Sequence, residues 1–355
     1  MAMRRYDAEM LKRARPLSEV VRESGVELHS RWSGRGTHKA LCPFHTEKTP
    51  SLLVDDRDGH YHCFGCGAHG DVFDYVQRLY NLSFREACER LGGTRSDLPQ
   101  PRPPGREVSP PRRWDRLTLL EQETMNVAAG LYHQGLRAAR GAQAYLRERC
   151  VETELARDCA LGYSDGRALL PALSAAGREY LDAALSLGLL RDRGEGATEF
   201  LTGRLIIPEI RGGNCIWMIG RALAPRPFIP RYLALDGEKP LLGWERAAGK
   251  PEVVLTEGPF DYLAALDAGY AAASLCGTSI APERLGFLAR AERVYVALDG
   301  DDAGLEGAEK LREVLGGRYV RVTLPLGSDL GDVVRLPGGR TRVRELIEAA
   351  PGGSA

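Results

Sequence analysis

The chain has 355 residues, 43% of them hydrophobic, and its 48 Lys and Arg residues balance its 48 Asp and Glu residues to a net charge of zero. This length allows two or three domains, and the neutral charge argues against a simple nucleic-acid coat protein. No run of about 18 apolar residues occurs, and the N-terminus, MAMRRYDAEMLKRARPLSEVV, has no apolar signal region. We therefore expect a cytoplasmic protein that does not interact with a membrane.

The first unit, residues 1–93, is predicted to be a zinc-binding domain. Short alternating segments, ALCPFH, PSLLVDD and HYHCFG, favour the strands of a small sheet. Helices are predicted on both sides, in DAEMLKRARPLSEVVRES, GDVFDYVQRLY and SFREACERLGG, with Asp71 and Ser83 as N-caps and Gly92 at the last helix end.

Four residues of this unit have the spacing of zinc ligands: Cys42, His45, Cys63 and Cys66. Within each pair two residues intervene, so a tight turn can direct both side chains at one ion, and the two pairs complete a tetrahedron. Three more histidines lie nearby, at His60, His62 and His69, but only His45 is spaced by two residues from Cys42. We expect one Zn²⁺ per chain, with a structural role, because four protein ligands leave no position for a substrate.

Residues 94–113 are predicted to be a linker. The segment TRSDLPQPRPPGREVSPPRR contains six prolines and no aromatic residue, so it cannot build a core. From Trp114 to Leu190 the pattern is helical, in LTLLEQETMNVAAGLYHQGL, GAQAYLRERC and ETELARDCALGY. After Phe200 it changes to short strands, in RLIIPEI, NCIWMIGRAL and RYLAL. We group residues 114–250 as one helical and then basic β/α region.

Residues 251–336 alternate between strands and helices, which is typical of a parallel sheet. The predicted strands are PEVVLT, AAASL, RVYVALD and YVRVTLP, and the predicted helices are FDYLAALDAG, APERLGFLAR and AGLEGAEKLREVLGG. Residues 337–355 form a short tail. The fold class is therefore a multidomain α+β protein, with an N-terminal zinc ribbon and a mixed α/β core that contains a Rossmann-like parallel sheet.

Acidic residues follow three of these strands: Glu257, then Asp299 and Asp301, then Asp329 and Asp332. The carboxyl ends of parallel strands face one crevice, where crowded carboxylates repel each other unless a cation such as Mg²⁺ or Mn²⁺ lies between them. For any single acid, ordinary turn or N-cap chemistry remains an alternative.

The sequence excludes three other interpretations of the chemistry. DGDDAG is not a calcium loop of the EF-hand type, because Ala303 and Lys310 stand where such a loop needs ligands. No P-loop motif occurs, so the chain is not an NTP-driven motor. Every histidine precedes residue 134, so imidazole catalysis in the acidic region is excluded. The reaction class that remains is metal-assisted chemistry on phosphates.

Six strings, in this order, resemble motifs of the DnaG-type primases of bacteria and phages: CPFHTEKTPS, YHCFGCGAHGD, TGRLIIPEI to IGRAL, TEGPFDYLAAL, LCGT and LDGDDAG. The resemblance implies an RNA polymerase core with a Toprim subdomain at residues 251–336. It implies a nucleotidyltransferase that makes short RNA primers on a single-stranded DNA template from NTPs.

The resemblance also implies roles for single residues. Glu257 would act as an acid/base or metal-organising carboxylate, Asp299 and Asp301 would bind Mg²⁺, and Asp329 would complete the catalytic site. Asp261 and Asp332 would support it. Four cations match positions where the family binds template and nucleotide phosphates: Arg204, Arg221, Arg231 and Lys239.

The sequence departs from the family pattern at its C-terminal end. Ser328 stands where the family has a lysine, and only 23 residues follow Asp332, too few for the family's helicase-binding domain. We therefore expect a bacterial, phage or mobile-element primase whose helicase partner is a separate chain. Two alternatives stay open, a non-catalytic DNA-binding accessory protein and a Toprim nuclease.

Three aromatic residues of the ribbon could stack on DNA bases or form its core: Phe44, Tyr61 and Phe64. We expect two of the three in the core.

Overall fold

The computed structural model describes residues 11–12, 14–29, 36–45, 47, 49–57, 59–66, 68–80, 82, 84–92, 114, 116–192, 196–224, 231–277, 285–286, 288, 290–300 and 302–351. The predicted linker, the N-cap Ser83, Asp301 and most of the predicted helix APERLGFLAR lie outside these residues. Within the described ranges, every helix is too short or too polar to cross a membrane.

The chain divides into two compact units, and neither unit is continuous in sequence. The first comprises Met1–Arg113, Leu181–Phe200 and Pro225–Glu238, and the second comprises Trp114–Tyr180, Leu201–Ala224 and Lys239–Ala355. The first unit thus joins the ribbon with two segments of the region that we grouped as 114–250. The domain boundaries given above stay a prediction.

An antiparallel sheet in the order β1-β2-β3-β4 forms the centre of the first unit, and we call this sheet with its connecting turns the ribbon. Its alternation is regular, since Leu52, Val54, Tyr61 and Cys63 point inward and are buried. The Asp71 carboxylate accepts hydrogen bonds from the backbone N–H groups of Phe73 at 2.9 Å and Asp74 at 3.1 Å, and so caps the helix that follows, as predicted. The elements of this unit are α1 (Leu17–Glu23), β1 (Thr37–Ala40), β2 (Leu52–Asp55), β3 (His60–Cys63), β4 (His69–Asp71), α2 (Val72–Tyr80), α3 (Phe84–Gly92), β6 (Leu190–Asp192), β7 (Ala197–Glu199) and β10 (Tyr232–Ala234).

The first predicted strand of the ribbon was misplaced. ALCPFH was predicted as a strand, but β1 ends at Ala40, where the segment begins. The reason is the metal site, because Cys42 and His45 must turn toward the other two ligands, and a backbone that continued the sheet would direct alternate side chains to opposite faces.

A half-buried ion cluster joins three parts of the first unit. Asp236 lies 3.0 Å from Arg78 of α2 and 2.7 Å from Arg191 of the β6–β7 hairpin. Burial favours the neutral acid, but the charges of Arg191 and Arg78 outweigh it and hold the pKa of Asp236 below its ordinary value. The Arg191 guanidinium also covers the ring of Phe200, 4.2 Å from its centroid.

A parallel sheet dominates the second unit, as the alternating pattern predicted, and its strands lie in the order β12 (Ala272–Ser274), β11 (Glu252–Thr256), β13 (Arg293–Ala297) and β14 (Tyr319–Arg321). Its core is a cluster of buried aliphatic side chains such as Val253, Leu255, Val294 and Val296. The strands and helices of the unit in this region are β11 (Glu252–Thr256), α10 (Pro259–Asp267), β12 (Ala272–Ser274), β13 (Arg293–Ala297), α11 (Asp302–Leu315), β14 (Tyr319–Arg321), α12 (Leu330–Val333) and α13 (Gly339–Glu348).

The other part of the second unit is built on an antiparallel pair of long strands. A helix capped by Thr118, whose hydroxyl accepts from the backbone of Glu121, packs against this part of the unit. Its elements are α4 (Leu119–Ala138), α5 (Arg140–Glu148), α6 (Thr153–Asp158), β5 (Gly162–Ser164), α7 (Leu169–Ala176), β8 (Arg204–Arg211), β9 (Asn214–Ala222) and α9 (Trp244–Ala247), while α8 (Arg178–Leu187) begins here and ends in the first unit.

Two features of the region predicted as helical, residues 114–190, were missed. β5 lies within it and pairs with β8, with Gly162 opposite Ile206. The β6–β7 hairpin begins at its end, with Leu190 opposite Glu199. The β5 pairing joins residues far apart in sequence, so no local pattern indicates it.

Glu209 of β8 is a buried carboxylate that holds the start of α9. It is 1% exposed, accepts a hydrogen bond from the Gly243 N–H at 2.6 Å, and lies 3.0 Å from the Arg211 guanidinium. Burial raises the pKa of Glu209 from 4.5 to about 7, although its hydrogen bond and charge contact with Arg211 oppose the shift.

This raised pKa predicts a loss of stability with rising pH. The folded state binds the Glu209 proton more tightly than the unfolded chain, so the stabilisation is complete below pH 4.5 and is lost as the pH rises through about 7. Between pH 5 and pH 8 we expect the wild-type chain to lose about 1–3 kcal/mol of unfolding free energy relative to Glu209→Gln. Urea titrations at both pH values measure this, with the exposed Glu306→Gln as the control. Parallel pH profiles of wild type and Glu209→Gln would contradict it.

Candidate functional site

The four predicted zinc ligands converge on one point of the ribbon. One ligand atom from each of Cys42, His45, Cys63 and Cys66 lies within 4.8 Å of all the others. Cys42 Sγ is 3.8 Å from Cys66 Sγ, and Cys63 Sγ is 3.7 Å from His45 Nδ1. The first pair follows β1, and the second pair begins at the last residue of β3, so the sheet brings the two turns together.

The electrostatics of this cluster favour a cation. Hydrogen bonding to Cys63 and Cys66, together with burial, raises the pKa of the Cys42 thiol. The same two sulfurs raise the pKa of His45 to about 10. Three sulfurs and one imidazole at this spacing are the donor set of a closed tetrahedral zinc site, and the residues present therefore fit Zn²⁺.

Gly65 leaves the room that His45 needs. A Cβ atom at this position would lie 2.5 Å from His45 Nε2 and 2.9 Å from Ser51 Oγ. Because real Cβ atoms do not approach other atoms so closely, the second turn can pass the imidazole only with glycine here.

A second cluster lies at the carboxyl ends of the parallel strands. Carboxylate oxygens of Asp261, Asp299 and Asp329 lie within 4.8 Å of one another. Asp299 follows β13 and Asp329 follows β14, while Asp261 lies in the first turn of α10, directly after β11. Of the acids predicted to converge here, Asp299 and Asp329 lie in the cluster, and the third member is Asp261, which was predicted only as a supporting residue.

Asp261 is the buried member of this cluster and is held by backbone groups. It is 4% exposed, and its carboxylate accepts hydrogen bonds from the Gly258 N–H at 3.2 Å and the Gly331 N–H at 2.8 Å. Burial and the charges of Asp329 and Asp299 raise the pKa of Asp261. Asp261 thus ties the turn after β11 to the short helix α12 while it contributes a carboxylate to the cluster.

Glu257 lies at the end of β11 but is not part of the cluster of three carboxylates found among the described residues. Its carbonyl oxygen accepts hydrogen bonds from Ser274 Oγ at 2.9 Å and the Gly277 N–H at 3.2 Å, which fix the loop after β12 beside it. The Lys239 ammonium group donates to the Cys276 carbonyl in the same loop at 3.4 Å. Lys239 therefore lies at the same end of the sheet as the acids.

Gly304 allows α11 to start close to the acidic cluster. A Cβ atom at this position would overlap the carbonyl oxygen of Asp299. The close contact fixes the backbone that carries the Asp299 side chain, and the overlap would force that backbone to move.

Two arginines share an aromatic platform next to the acids. The Arg149 and Arg221 guanidinium groups lie 5.1 Å and 5.5 Å from the ring centroid of Phe260, which directly precedes Asp261, and both lie 5.9 Å from the ring of Tyr145. Both arginines are 6% exposed. Arg149 also lies 3.4 Å from Asp332.

Arg149 was missed in the sequence, since it lies in a helical stretch far from the acids, and only the fold brings it to Phe260. The supporting residue Asp332 contacts two arginines, Arg149 and Arg335, the second at 3.7 Å. Of the other predicted cations, Arg204 is 5% exposed and burial lowers its pKa to about 10, while Arg231 is exposed and belongs to the first unit.

The three aromatic residues of the ribbon differ in exposure. Tyr61 is 2% exposed, and Phe44 packs against it with ring centroids 5.6 Å apart. Phe64 is 62% exposed and lies beside His62, with ring centroids 4.6 Å apart. Two of the three thus contribute to the core, as expected, and Phe64 offers its ring to solvent.

Comparisons with known families agree with both clusters. Residues 4–98 match the family model of the CHC2 zinc finger, and residues 254–334 match the Toprim-like family model. The first range contains all four zinc ligands, and the second contains the three clustered carboxylates.

Known relatives extend the similarity along most of the chain. The DNA primase of Salmonella typhimurium is 32% identical over 372 aligned positions, which span 94% of this chain but only 60% of that protein. A similar structure is that of the Aquifex aeolicus primase with its zinc-binding and RNA polymerase domains. The match covers 98% of this chain and 86% of the Aquifex chain, with a TM-score of 0.58 and 23% identity.

A third similar structure is the RNA polymerase domain of the Mycobacterium tuberculosis primase DnaG in complex with double-stranded DNA. The match covers 66% of this chain and 81% of the Mycobacterium chain, with a TM-score of 0.58 and 25% identity. These likenesses confirm the predicted fold class, a zinc ribbon followed by a mixed α/β core with a parallel sheet.

Removal of zinc is expected to unfold the ribbon. Structural zinc sites contribute about 10–16 kcal/mol to the folding of small domains, so a chelator should abolish amide protection in β2 and β3. Hydrogen exchange measured by mass spectrometry should show this loss, while β11 and β13 of the other unit keep their protection. Cys63→Ser should behave like the chelated protein, and full protection of β2 and β3 without metal would contradict a structural zinc.

Gly304→Ala is expected to destabilise the second unit. The added methyl group overlaps the Asp299 carbonyl, and overpacking of this kind costs about 1–3 kcal/mol of unfolding free energy. Gly317→Ala is the matched control, because nothing lies within 4 Å of a Cβ atom there, and we expect a change within about 0.5 kcal/mol. Urea unfolding compares them, and equal stability of the two variants would show that the close contact at Gly304 has no energetic weight.

Proposed function

We propose that this chain, which is similar to the DnaG-type DNA primases over most of its length, synthesises short RNA primers on single-stranded DNA. The reaction would be template-directed nucleotidyl transfer from NTPs. Because the chain spans about 60% of the length of its Salmonella relative, this activity is proposed on the basis of the sites that the chain itself contains.

The observation that carries the proposal is the cluster of Asp261, Asp299 and Asp329 in a chain that also holds a zinc ribbon. Three carboxylate oxygens at this spacing suit Mg²⁺ or Mn²⁺, which prefer oxygen ligands. We propose that these residues, with Glu257 and Asp301, form the catalytic metal site.

Divalent cations bound there would lower the pKa of the attacking hydroxyl and neutralise charge on the leaving pyrophosphate. The protein's own contribution is to position the reactants. Asp261, fixed by two backbone N–H groups, holds the turn after β11 and the helix α12 together beside the site. Arg149 and Arg221, which stack beside Phe260, and Lys239, which lies on the loop after β12, would bind nucleotide or template phosphates.

The ribbon would bind the template strand. Phe64 is the exposed aromatic residue among the three considered, and a base stacked on such a ring gains about 1–3 kcal/mol. The DNA complex of the Mycobacterium tuberculosis relative supports a DNA partner. A replicative helicase on a separate chain remains part of the proposal.

Asp299→Ala is expected to abolish primer synthesis. The test uses the purified full chain with single-stranded DNA, labelled NTPs and Mg²⁺, and resolves the RNA products on a denaturing gel. Asp299 is one of three clustered carboxylates, so its loss should reduce the rate by more than about 100-fold. Glu306→Ala removes an exposed acid from the nearby helix α11 and should leave the rate unchanged. Circular dichroism checks that both variants fold.

The alternatives give different products in the same assay. A DNA-binding accessory protein binds the template but incorporates no nucleotide, and a Toprim nuclease cuts the DNA without NTPs. The departure at Ser328 and the ion pairs of Asp332 with two arginines are the features that favour the accessory protein. Primer synthesis that persists in Asp299→Ala would refute the site assignment, and absence of synthesis by the wild-type chain would refute the function.

A further inference from the structure

Glu47 is not one of the four zinc ligands, but it lies against the turn that carries two of them, Cys42 and His45. Its side chain is 11% exposed, and its Oε2 atom lies 3.1 Å from His45 Nε2. The Oε1 atom accepts two backbone hydrogen bonds, from the Cys42 N–H at 2.7 Å and the Ser51 N–H at 3.1 Å. One carboxylate therefore contacts the side chain of one zinc ligand and the backbone of another.

The two nitrogen atoms of His45 have different surroundings. Nδ1 faces the Cys63 sulfur at 3.7 Å, whereas Nε2 faces the Glu47 carboxylate. A nitrogen that binds zinc carries no proton, so the proton of a neutral imidazole must be on the other nitrogen. Here that nitrogen is Nε2, which can donate its proton to Glu47.

From this arrangement we infer that Glu47 positions His45 for zinc, by holding the imidazole in the tautomer that presents Nδ1 to the metal. A carboxylate that accepts the second N–H of a ligating histidine fixes the orientation of the ring and increases its basicity. The two backbone hydrogen bonds to Oε1 hold the carboxylate itself in place.

Ser51 extends this arrangement to the second turn. Its backbone N–H donates to Glu47, and its hydroxyl lies 3.1 Å from the Cys63 sulfur. Glu47 and Ser51 thus connect the Cys42–His45 pair with the Cys63–Cys66 pair through contacts that do not involve the metal. These contacts help to hold the two turns in place around the metal, so the connection should slow zinc loss.

Glu47→Gln separates the positioning role from simple support of the backbone. The glutamine carbonyl can still accept the two backbone hydrogen bonds, but its NH₂ group presents a donor where His45 Nε2–H needs an acceptor. We expect zinc affinity to fall by about 10- to 100-fold, which is typical for loss of such a partner. Glu27→Gln, at an exposed position of the same unit, is the control and should leave the affinity unchanged.

The experiment measures zinc transfer from the full chain to a chromogenic chelator. Faster and more complete transfer from Glu47→Gln than from wild type and Glu27→Gln supports the inference, and Glu47→Ala should lose zinc at least as readily. Wild-type transfer from Glu47→Gln would overturn it. Neither result depends on nucleotide incorporation. The inference can therefore fail while the proposed function holds, and the proposed function can fail while the inference holds.

A second measurement covers the case in which Glu47→Gln does not fold. In the zinc-loaded wild-type chain, ¹⁵N chemical shifts of the His45 ring distinguish the two nitrogens. We expect zinc on Nδ1 and a proton on Nε2. Zinc on Nε2 would overturn the inference without any variant.

Discussion

Mutual repulsion of the Asp261, Asp299 and Asp329 carboxylates is the constraint around which the second unit is organised. The parallel sheet brings them together because its strands end at one edge, and the buried Asp261 is held in place by the backbone N–H groups of Gly258, which precedes α10, and Gly331, which lies in α12. Like charges at this spacing raise the free energy of the folded protein, and bound cations relieve that cost. The fold thus accepts a local loss of stability at this edge, which the cations that we propose there would offset.

The ribbon also brings potential metal ligands close together, but its ligands are softer. Its three sulfurs and one imidazole lie as close as the carboxylates do, but they form a closed tetrahedral set that suits Zn²⁺. The contrast explains a division of tasks within one chain. The sulfur site fixes the shape of a small sheet, whereas the oxygen site is suited to metals that exchange water for substrate oxygens.

Local spacing made the zinc ligands predictable, and the alternation of strands and helices made the acidic edge predictable, because both depend on residues close in sequence or on a regular topology. Arg149 was not predictable, since it reaches Phe260 only through the packing of helices and strands that are more than 100 residues apart in sequence. The same holds for β5, which pairs with a strand some 40 residues further on. Asp261 was predicted as a supporting residue from the resemblance, but its two backbone hydrogen bonds, one of them to Gly331, depend on the tertiary structure.

The first unit is assembled from three separate parts of the chain, with Asp236 joined to Arg78 and Arg191. During synthesis on the ribosome, the ribbon emerges first, but Asp236 follows only after most of the β5–β8–β9 region has left the exit tunnel. Until then, Arg78 and Arg191 lack the carboxylate that balances them, so the unit cannot complete its ion cluster as the N-terminal residues appear. The ion cluster of the first unit is therefore completed only after residues of the second unit have been synthesised, whereas the ribbon itself lies entirely in the segment that emerges first.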